Sequence, residues 1–519
     1  MAANLGVVSI NLPSIWQVTG KMSAFRGGEG RTTYQACSPT QNRDGAGQYR
    51  PGSGRASACA RQLPPPFTPD IIHGTMRLTS GFLLVILSAF ACAQAPSPSN
   101  EIESIYPDAR VLYLDIHQNP ELSSHETQTA AKLAGRLRRL GYAVTENVGG
   151  TGVVAILSNG AGPTVMLRTE LDALPVEEKT GLPYASKVRT KDDFGRDVGV
   201  MHACGHDLHM ASLFGTAAIM ARSKETWHGT LILIGQPAEE TIAGAKRMVE
   251  AGLMTRFPKP DVALALHVGN QLPARKVGLG PGYRFSNADS LRITIYGKGG
   301  HGSMPNSTID PIVIAARTVV ALQTIVSREV KPGEVAVVTI GYIQAGTKNN
   351  IIPDQAELGL TVRSYKPEVR KQVLTAIERI TKAEANAAGA VREPKIERYE
   401  ATDAVYNDPG LSQRLQSVLE STLGKDNVVV EEPGMASEDF SFFTAQGVPS
   451  FFFSLGGANP EQYAEAKSAG TSLPSNHSPV FAPDVDPALH TGIVAEVAVL
   501  RNLLSGSAED LRRSISPAH

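Results

Sequence analysis

The sequence predicts an α/β protein: a large α/β domain interrupted by a smaller α+β domain with the β-α-β-β-α-β order of a ferredoxin-like unit. Three observations predict it. Short apolar runs alternate with helix-length segments between residues 153 and 266. Near residue 287 the pattern changes to alternating strands and two long helices, and after residue 400 the first pattern returns. A chain of 519 residues is also too long for one ordinary core.

In chain order, residues 1–75 are rich in Gly, Pro, Ser and Arg, show no sustained period, and are expected to be disordered. Met76 opens a different segment, with Arg77, an apolar stretch from Gly81 to Ala91, and the small residues of Ala91-Cys92-Ala93-Gln94-Ala95. This is the layout of a secretory signal peptide over residues 76–95, too short for a membrane span. It predicts a natural start at Met76, a mis-called extension before it, and a secreted or periplasmic product. A lipid anchor at Cys92 ranks second, because Ala89-Phe90-Ala91 is a poor lipobox.

The large domain is assigned to residues 101–286 and 399–505. Leu133, Leu137 and Leu140 keep helical spacing until Gly141 stops them. Residues 153–157, 164–167, 231–234 and 262–266 read as buried strands, with a helix at 208–222. The insert spans 287–398. Residues 291–296 alternate, Asp310-Pro311 caps a helix to about 327, and 334–342 and 357–363 read as strands. A second helix at 367–388 is closed by Gly389, and a strand near 395–399 completes the unit. A strand at 450–454 and a helix at 487–504 finish the large domain, and 506–519 reads as a disordered tail.

Composition limits function. Lys plus Arg number 49 against 50 Asp plus Glu, leaving no basic field for nucleic acid. Of Cys37, Cys59, Cys92 and Cys204, only Cys204 lies in the predicted fold, so no disulfide framework is expected. Function must come from local sites.

The densest chemistry is Met201-His202-Ala203-Cys204-Gly205-His206-Asp207-Leu208-His209. Imidazole and thiolate are the usual ligands of zinc-like ions, and Gly205 permits a tight turn between two of them. A lone His beside an Asp would read as an ordinary helix start; three His with a Cys and an Asp in nine residues read as a metal site. Gln236-Pro237-Ala238-Glu239-Glu240 follows a predicted strand, where ligand sites of open α/β sheets lie. There one carboxylate can hold a metal while its neighbour takes a proton from water the metal has acidified. Alone, the pair fits a solvated helix start equally well. Arg168-Thr169-Glu170-Leu171-Asp172 places acids after another strand, His267 ends a third, and His477 sits in Ser475-Asn476-His477-Ser478-Pro479.

In the insert, Gly297-Lys298-Gly299-Gly300-His301-Gly302-Ser303 lacks the Walker spacing and reads as a flexible mount for His301. Asn350 and Arg363 are polar candidates there. The Arg363 guanidinium matches a substrate carboxylate, and its plainer reading is an ordinary surface arginine. No Gly-x-Ser-x-Gly elbow occurs, which counts against a serine hydrolase.

Together these motifs resemble the M20 metallopeptidases, specifically the amidohydrolase branch of hippurate hydrolases, N-acyl-amino-acid aminoacylases and auxin-conjugate hydrolases. The carriers are His117-Gln118-Asn119-Pro120-Glu121-Leu122, Asp172-Ala173-Leu174-Pro175, His202-Ala203-Cys204-Gly205-His206-Asp207, Pro237-Ala238-Glu239-Glu240, Gly299-Gly300-His301-Gly302-Ser303 and Asn350-Ile351-Ile352-Pro353. The resemblance implies an amidohydrolase or carboxypeptidase-type enzyme that cleaves N-acyl amino acids or short peptides. It implies two divalent ions per subunit (Zn, Mn or Co) held by Cys204, His206, Glu240, His267 and His477, with Glu239 as general base. Asp172 would orient a ligand, Asn350 and Arg363 would hold the substrate, and His301 would polarise the scissile carbonyl from the partner subunit of a homodimer formed through the insert, which would act as a dimerisation and lid domain. A silent metal-binding relative, and a deacetylase of an N-acetylated diamino acid, are the alternatives. One departure stands out: the branch has Asp-x-Asp-Ala-Leu-Pro, and Glu170 replaces its first Asp. The longer side chain is expected to shift the groups behind the ligands.

Overall fold

The computed structural model describes residues 98–515. The expectations for residues 1–75 and 76–95, with Cys37, Cys59 and Cys92, lie outside the described residues. Two sheets carry the chemistry. In chain order their main strands are β1 (Val153–Asn159), β2 (Thr164–Glu170), β3 (Gly229–Gln236), β4 (Val262–Pro273), β5 (Asn287–Tyr296), β6 (Ala336–Ala345), β7 (Gln355–Ser364), β8 (Lys395–Thr402) and β9 (Ser450–Ala458).

The larger sheet has ten strands, with the central order β1-β3-β2-β4-β9. β3, β2, β4 and β9 run parallel, and β1 closes antiparallel on β3. Their side chains alternate between two cores. Val165, Leu167, Leu231, Leu233, Leu264 and Phe451 pack on one face, beneath the helices Pro98–Gln118, His206–Arg222 and Val485–Leu503. Met166, Ile232, Ala263 and Phe452 pack on the other, with Met248, Phe440 and Phe443. Helices on both faces explain why these strands read as unbroken apolar runs. Phe440 and Phe443 belong to this core and do not line the cleft. The parallel arrangement brings the C-terminal ends of β2 and β3 to one edge.

The second sheet has the order β6-β7-β5-β8, antiparallel throughout, backed by the helices Pro311–Thr324 and Pro367–Ala387. This is the split βαβ arrangement. It has its own core around Ile293, Ile314, Leu358 and Ile377. Asp310 caps the first helix, accepting the Ile312 N–H at 2.9 Å. The segment Pro311–Glu329 is long and apolar enough to cross a membrane by composition. Its Ile314, Ala315, Leu322 and Ile325 face is buried in the second core, which accounts for the apolarity.

Three expectations are corrected. β4 does not end at Leu266. Pairing with β9 continues through His267↔Ser454 and Val268↔Leu455, so His267 lies inside the strand. β8 runs to Thr402, past the boundary drawn at 398. The tail expected to be disordered from 506 contains the helix Ala508–Ser514. Ser507 and Asp510 form a reciprocal capping box there, and Leu511 is buried, so the segment has both a start signal and an anchor.

Candidate metal centre

Gly205 sets the site. It has φ +89° at the start of the helix His206–Arg222, and a Cβ there would lie 2.4 Å from Val268 Cγ1. The turn it makes separates Cys204 from His206 while aiming both inward. Cys204 Sγ lies 3.4 Å from His267 Nε2 and 3.3 Å from His477 Nε2. His477, itself at φ +70°, donates its backbone N–H to Ala203 O at 2.8 Å, and its Nε2 is 3.4 Å from Glu240 Oε2. His206 Nε2 lies 4.0 Å from both Glu239 Oε2 and Glu240 Oε1. Cys204, His206 and His267 form one group with donor atoms within 4.8 Å of one another, and Cys204, Glu240 and His477 form another. The structure thus brings all five ligand candidates together, in two groups that share the thiol.

The donors fit a pair of divalent cations. His206 Nδ1 is 2.9 Å from Asp172 O, and His267 Nδ1 is 2.9 Å from Val268 O. Each ring is anchored through one nitrogen, leaving Nε2 to face the site. His206 Nε2, Glu240 Oε1 and Asp172 Oδ1 are buried without a hydrogen-bond partner. The charge balance points the same way. Burial, then Glu240 and Glu239, push the Cys204 thiol well above its usual range. Burial, then Glu438 and Glu240, push Glu239 well above the usual carboxylate range. Burial opposes charge on His206, but the Asp172 hydrogen bond and the neighbouring carboxylates outweigh it and raise the ring to about 10. Burial is the largest cause for the thiol and for Glu239; the carboxylates add to both and outweigh burial on His206, a crowding of negative charge that dications would balance.

Asp172 Oδ2 accepts from Ser123 Oγ at 2.6 Å and from the Glu240 N–H at 3.0 Å, while its backbone O holds His206, so one residue steadies His206 and Glu240 together. Arg363 lines the same cleft, about 950 Å³ in volume, with Cys204, Glu239 and His267. His301 and Asn350 do not line it. His301 stands on the short ribbon Gly300–His301 with Ile351–Ile352, which Asn350 directly precedes; His301 is exposed and its Nδ1 is 2.7 Å from Ser303 Oγ.

Sequence reasoning missed several groups. Asn476 Nδ2 donates to Cys204 O and to Val268 O, each at 3.0 Å, tying two ligand segments together. Its signal was its place beside His477. Arg168, Glu438 and Asp439 form a buried ionic cluster behind Glu239. The adjacent acids Glu438-Asp439 were the available signal. Glu170, the departure noted above, bonds Arg168 and His209, not a ligand. Glu170, His206 and His209 also lie within metal-site distances. His209 is already committed, however, with Nδ1 on Glu170 at 2.9 Å and Nε2 accepting the Val268 N–H at 2.8 Å.

Sulfur, nitrogen and oxygen donors gathered along one edge of an α/β sheet, with a buried carboxylate beside them, define a metallohydrolase. The chain belongs to peptidase family M20/M25/M40, whose family model matches residues 166–472, and within it to the amidohydrolase branch. It is 38% identical to thermostable carboxypeptidase 2 of Saccharolobus solfataricus over 75% of this chain and 93% of that one. It is 40% identical to the hippurate hydrolase of Campylobacter jejuni over 66% of this chain and 86% of that one. A solved Bacillus subtilis structure, described as a dinuclear metal binding peptidase from the M20 family, aligns with a TM-score of 0.62 at 30% identity, covering 76% of this chain and 98% of that one.

Proposed function

We propose that this protein hydrolyses the amide bond of N-acyl amino acids or short peptides bearing a free carboxylate. Cys204, His206, Glu240, His267 and His477 hold two divalent cations, and Glu239 carries the proton. The observation behind this reading is the placement of Glu239: buried, lining the cleft, and 4.0 Å from His206 beside both donor groups. Bound there, two cations would supply Lewis acidity, lowering the pKa of water toward about 7. Glu239 takes the proton of the attacking water and delivers it to the leaving nitrogen. Burial, then Glu438 and Glu240, raise the affinity of Glu239 for that proton. Asp172 keeps His206 and the Glu240 backbone in place. Arg363 pairs with the substrate carboxylate through its planar fork, and Asn350 contributes to substrate binding from the partner subunit.

The thiolate favours zinc-like ions over magnesium or calcium, with manganese and cobalt as the other candidates. A homodimer through the second sheet supplies His301 of the partner subunit to the cleft, where it stabilises the oxyanion. The outer edge of that sheet supports this reading. Tyr342 and Ile343 on β6, and Ile312, Val313 and Val320 on the adjoining helix, are exposed apolar side chains. The segment 76–95 supports export as a secreted or periplasmic enzyme.

The test is a panel of N-acetyl and N-benzoyl amino acids and dipeptides offered to metal-loaded protein. Turnover of the acyl amino acids is expected, with Glu239→Gln abolishing it while two ions per chain remain bound. Substantial turnover by folded Glu239→Gln protein rejects the proton-carrier role.

A further inference from the structure

Arg168 heads the fully buried side chains by volume, yet it is no ligand. Its Nε donates to Gln236 Oε1 at 2.9 Å. Nη1 donates to Glu170 and, at 3.3 Å, to Glu438 Oε2. Nη2 donates to Glu438 Oε1 at 2.6 Å and to Asp439 Oδ1 at 3.2 Å. A guanidinium has five N–H donors in a fixed fork, and these five bonds use all of them.

Each partner leads to a different part of the metal centre. Gln236 ends β3, directly before Pro237-Ala238-Glu239-Glu240. Glu170 ends β2 and reaches His209, whose Nε2 holds the Val268 N–H, the peptide that follows His267. Glu438 lines the cleft, and its carboxylate lies within 4.8 Å of those of Glu239 and Asp439. Three acids that close repel one another. Among the described residues, Arg168 is the cation paired with Glu438 and Asp439.

We propose, resting on the hydrolase reading above, that Arg168 is a positioning residue for this centre: it fixes Glu438 beside Glu239, and through Glu170 and His209 it fixes the peptide that follows His267. Lysine keeps the charge but has three donors and no fork, so it cannot span Gln236, Glu170 and Glu438 together. Gln at 438 keeps the shape and removes the charge that Arg168 holds against Glu239.

Four proteins test this: wild type, Arg168→Lys, Glu438→Gln and Glu239→Gln, each metal-loaded, with folding checked by circular dichroism. Arg168→Lys and Glu438→Gln are expected to lower kcat about 10- to 100-fold, the usual range for groups behind metal ligands. KM for an N-acyl amino acid should stay within about threefold, since an effect confined to the transition state leaves ground-state binding alone. In competition with a chromogenic chelator, Arg168→Lys should release metal about tenfold more readily, because it also loses the path to His267, and Glu438→Gln should not. Wild-type kcat in both variants overturns the proposal, as do kcat losses that disappear when corrected for the folded fraction. Should the wild type hydrolyse none of the panel, the hydrolase reading fails by itself, and chelator competition still decides whether Arg168 steadies the centre.

Discussion

Gly205 carries the sharpest demand on any single residue of the site. Left-handed backbone costs a non-glycine residue about 1–2 kcal/mol. A methyl group here would also press on Val268 Cγ1, a branched side chain that cannot swing aside. The same turn holds Cys204 and His206 apart, so strain and ligation are coupled. Gly205→Ala is therefore expected to lower the melting temperature and weaken metal retention together; thermal scans with and without added metal would show it, and a variant with wild-type values in both would contradict the argument. Arg363 makes a different demand. If it clamps a substrate carboxylate, Arg363→Ala removes a charge-assisted contact of about 1.5–3 kcal/mol, equivalent to about 10- to 150-fold in KM with kcat far less affected. Acyl amino acid amides, which lack that carboxylate, should be poor substrates for the wild type and no poorer for the variant.

Between elements, Glu496 shows how a helix interface can hide an acid. It lies on the helix Val485–Leu503, fully buried against the helix His206–Arg222, where Ser212 Oγ and Thr216 Oγ1 donate to its Oε2 at 2.8 and 2.7 Å. Burial outweighs those hydroxyls and raises its pKa from 4.5 to about 8. Between those two values the unfolded chain has released its proton and the folded chain keeps it. Stability contributed here is therefore full below about pH 4.5 and falls as pH rises, by about 1.4 kcal/mol per unit, until about pH 8. Glu496→Gln removes that titration. Its melting temperature should fall less than the wild type's across this window, and parallel curves would rule the mechanism out. Nothing local announced this acid, which sits in Ile493-Val494-Ala495-Glu496-Val497, an ordinary apolar helix stretch, with partners 280 and 284 residues away. The same limit applied to Arg168 and Glu438, which are 270 residues apart. By contrast, β2, β3 and the start of β4 were legible because their side chains are buried on both faces, so short-range composition carried the signal. The end of β4 was not, because pairing with β9 outlasts the apolar run.

At the scale of the molecule, the sequence motifs divide in a way that bears on assembly. The motifs around Cys204, Glu239 and His477 meet in one cleft, with Asp172 behind His206 and Glu240, as local ligand chemistry and the parallel sheet required. The motifs around His301 and Asn350, equally legible, lie at a separate two-stranded ribbon within the insert, away from the cleft lining. Two subunits reconcile these facts if each second sheet serves the other's cleft. Mixing experiments separate this from action within one chain. In a dimer of one His301→Ala subunit and one Glu239→Ala subunit, the first subunit's cleft keeps its own Glu239 and receives the partner's His301, and the other cleft loses both. Equal amounts allowed to exchange should give half mixed dimers with one working cleft each, about a quarter of wild-type activity from two inactive preparations. Ile343→Lys, which puts a charge on the exposed edge strand, should shift the protein to monomer in sedimentation and abolish the recovery. Mixtures as inactive as their parents, although exchange is verified, would mean that His301 does not act across the subunits.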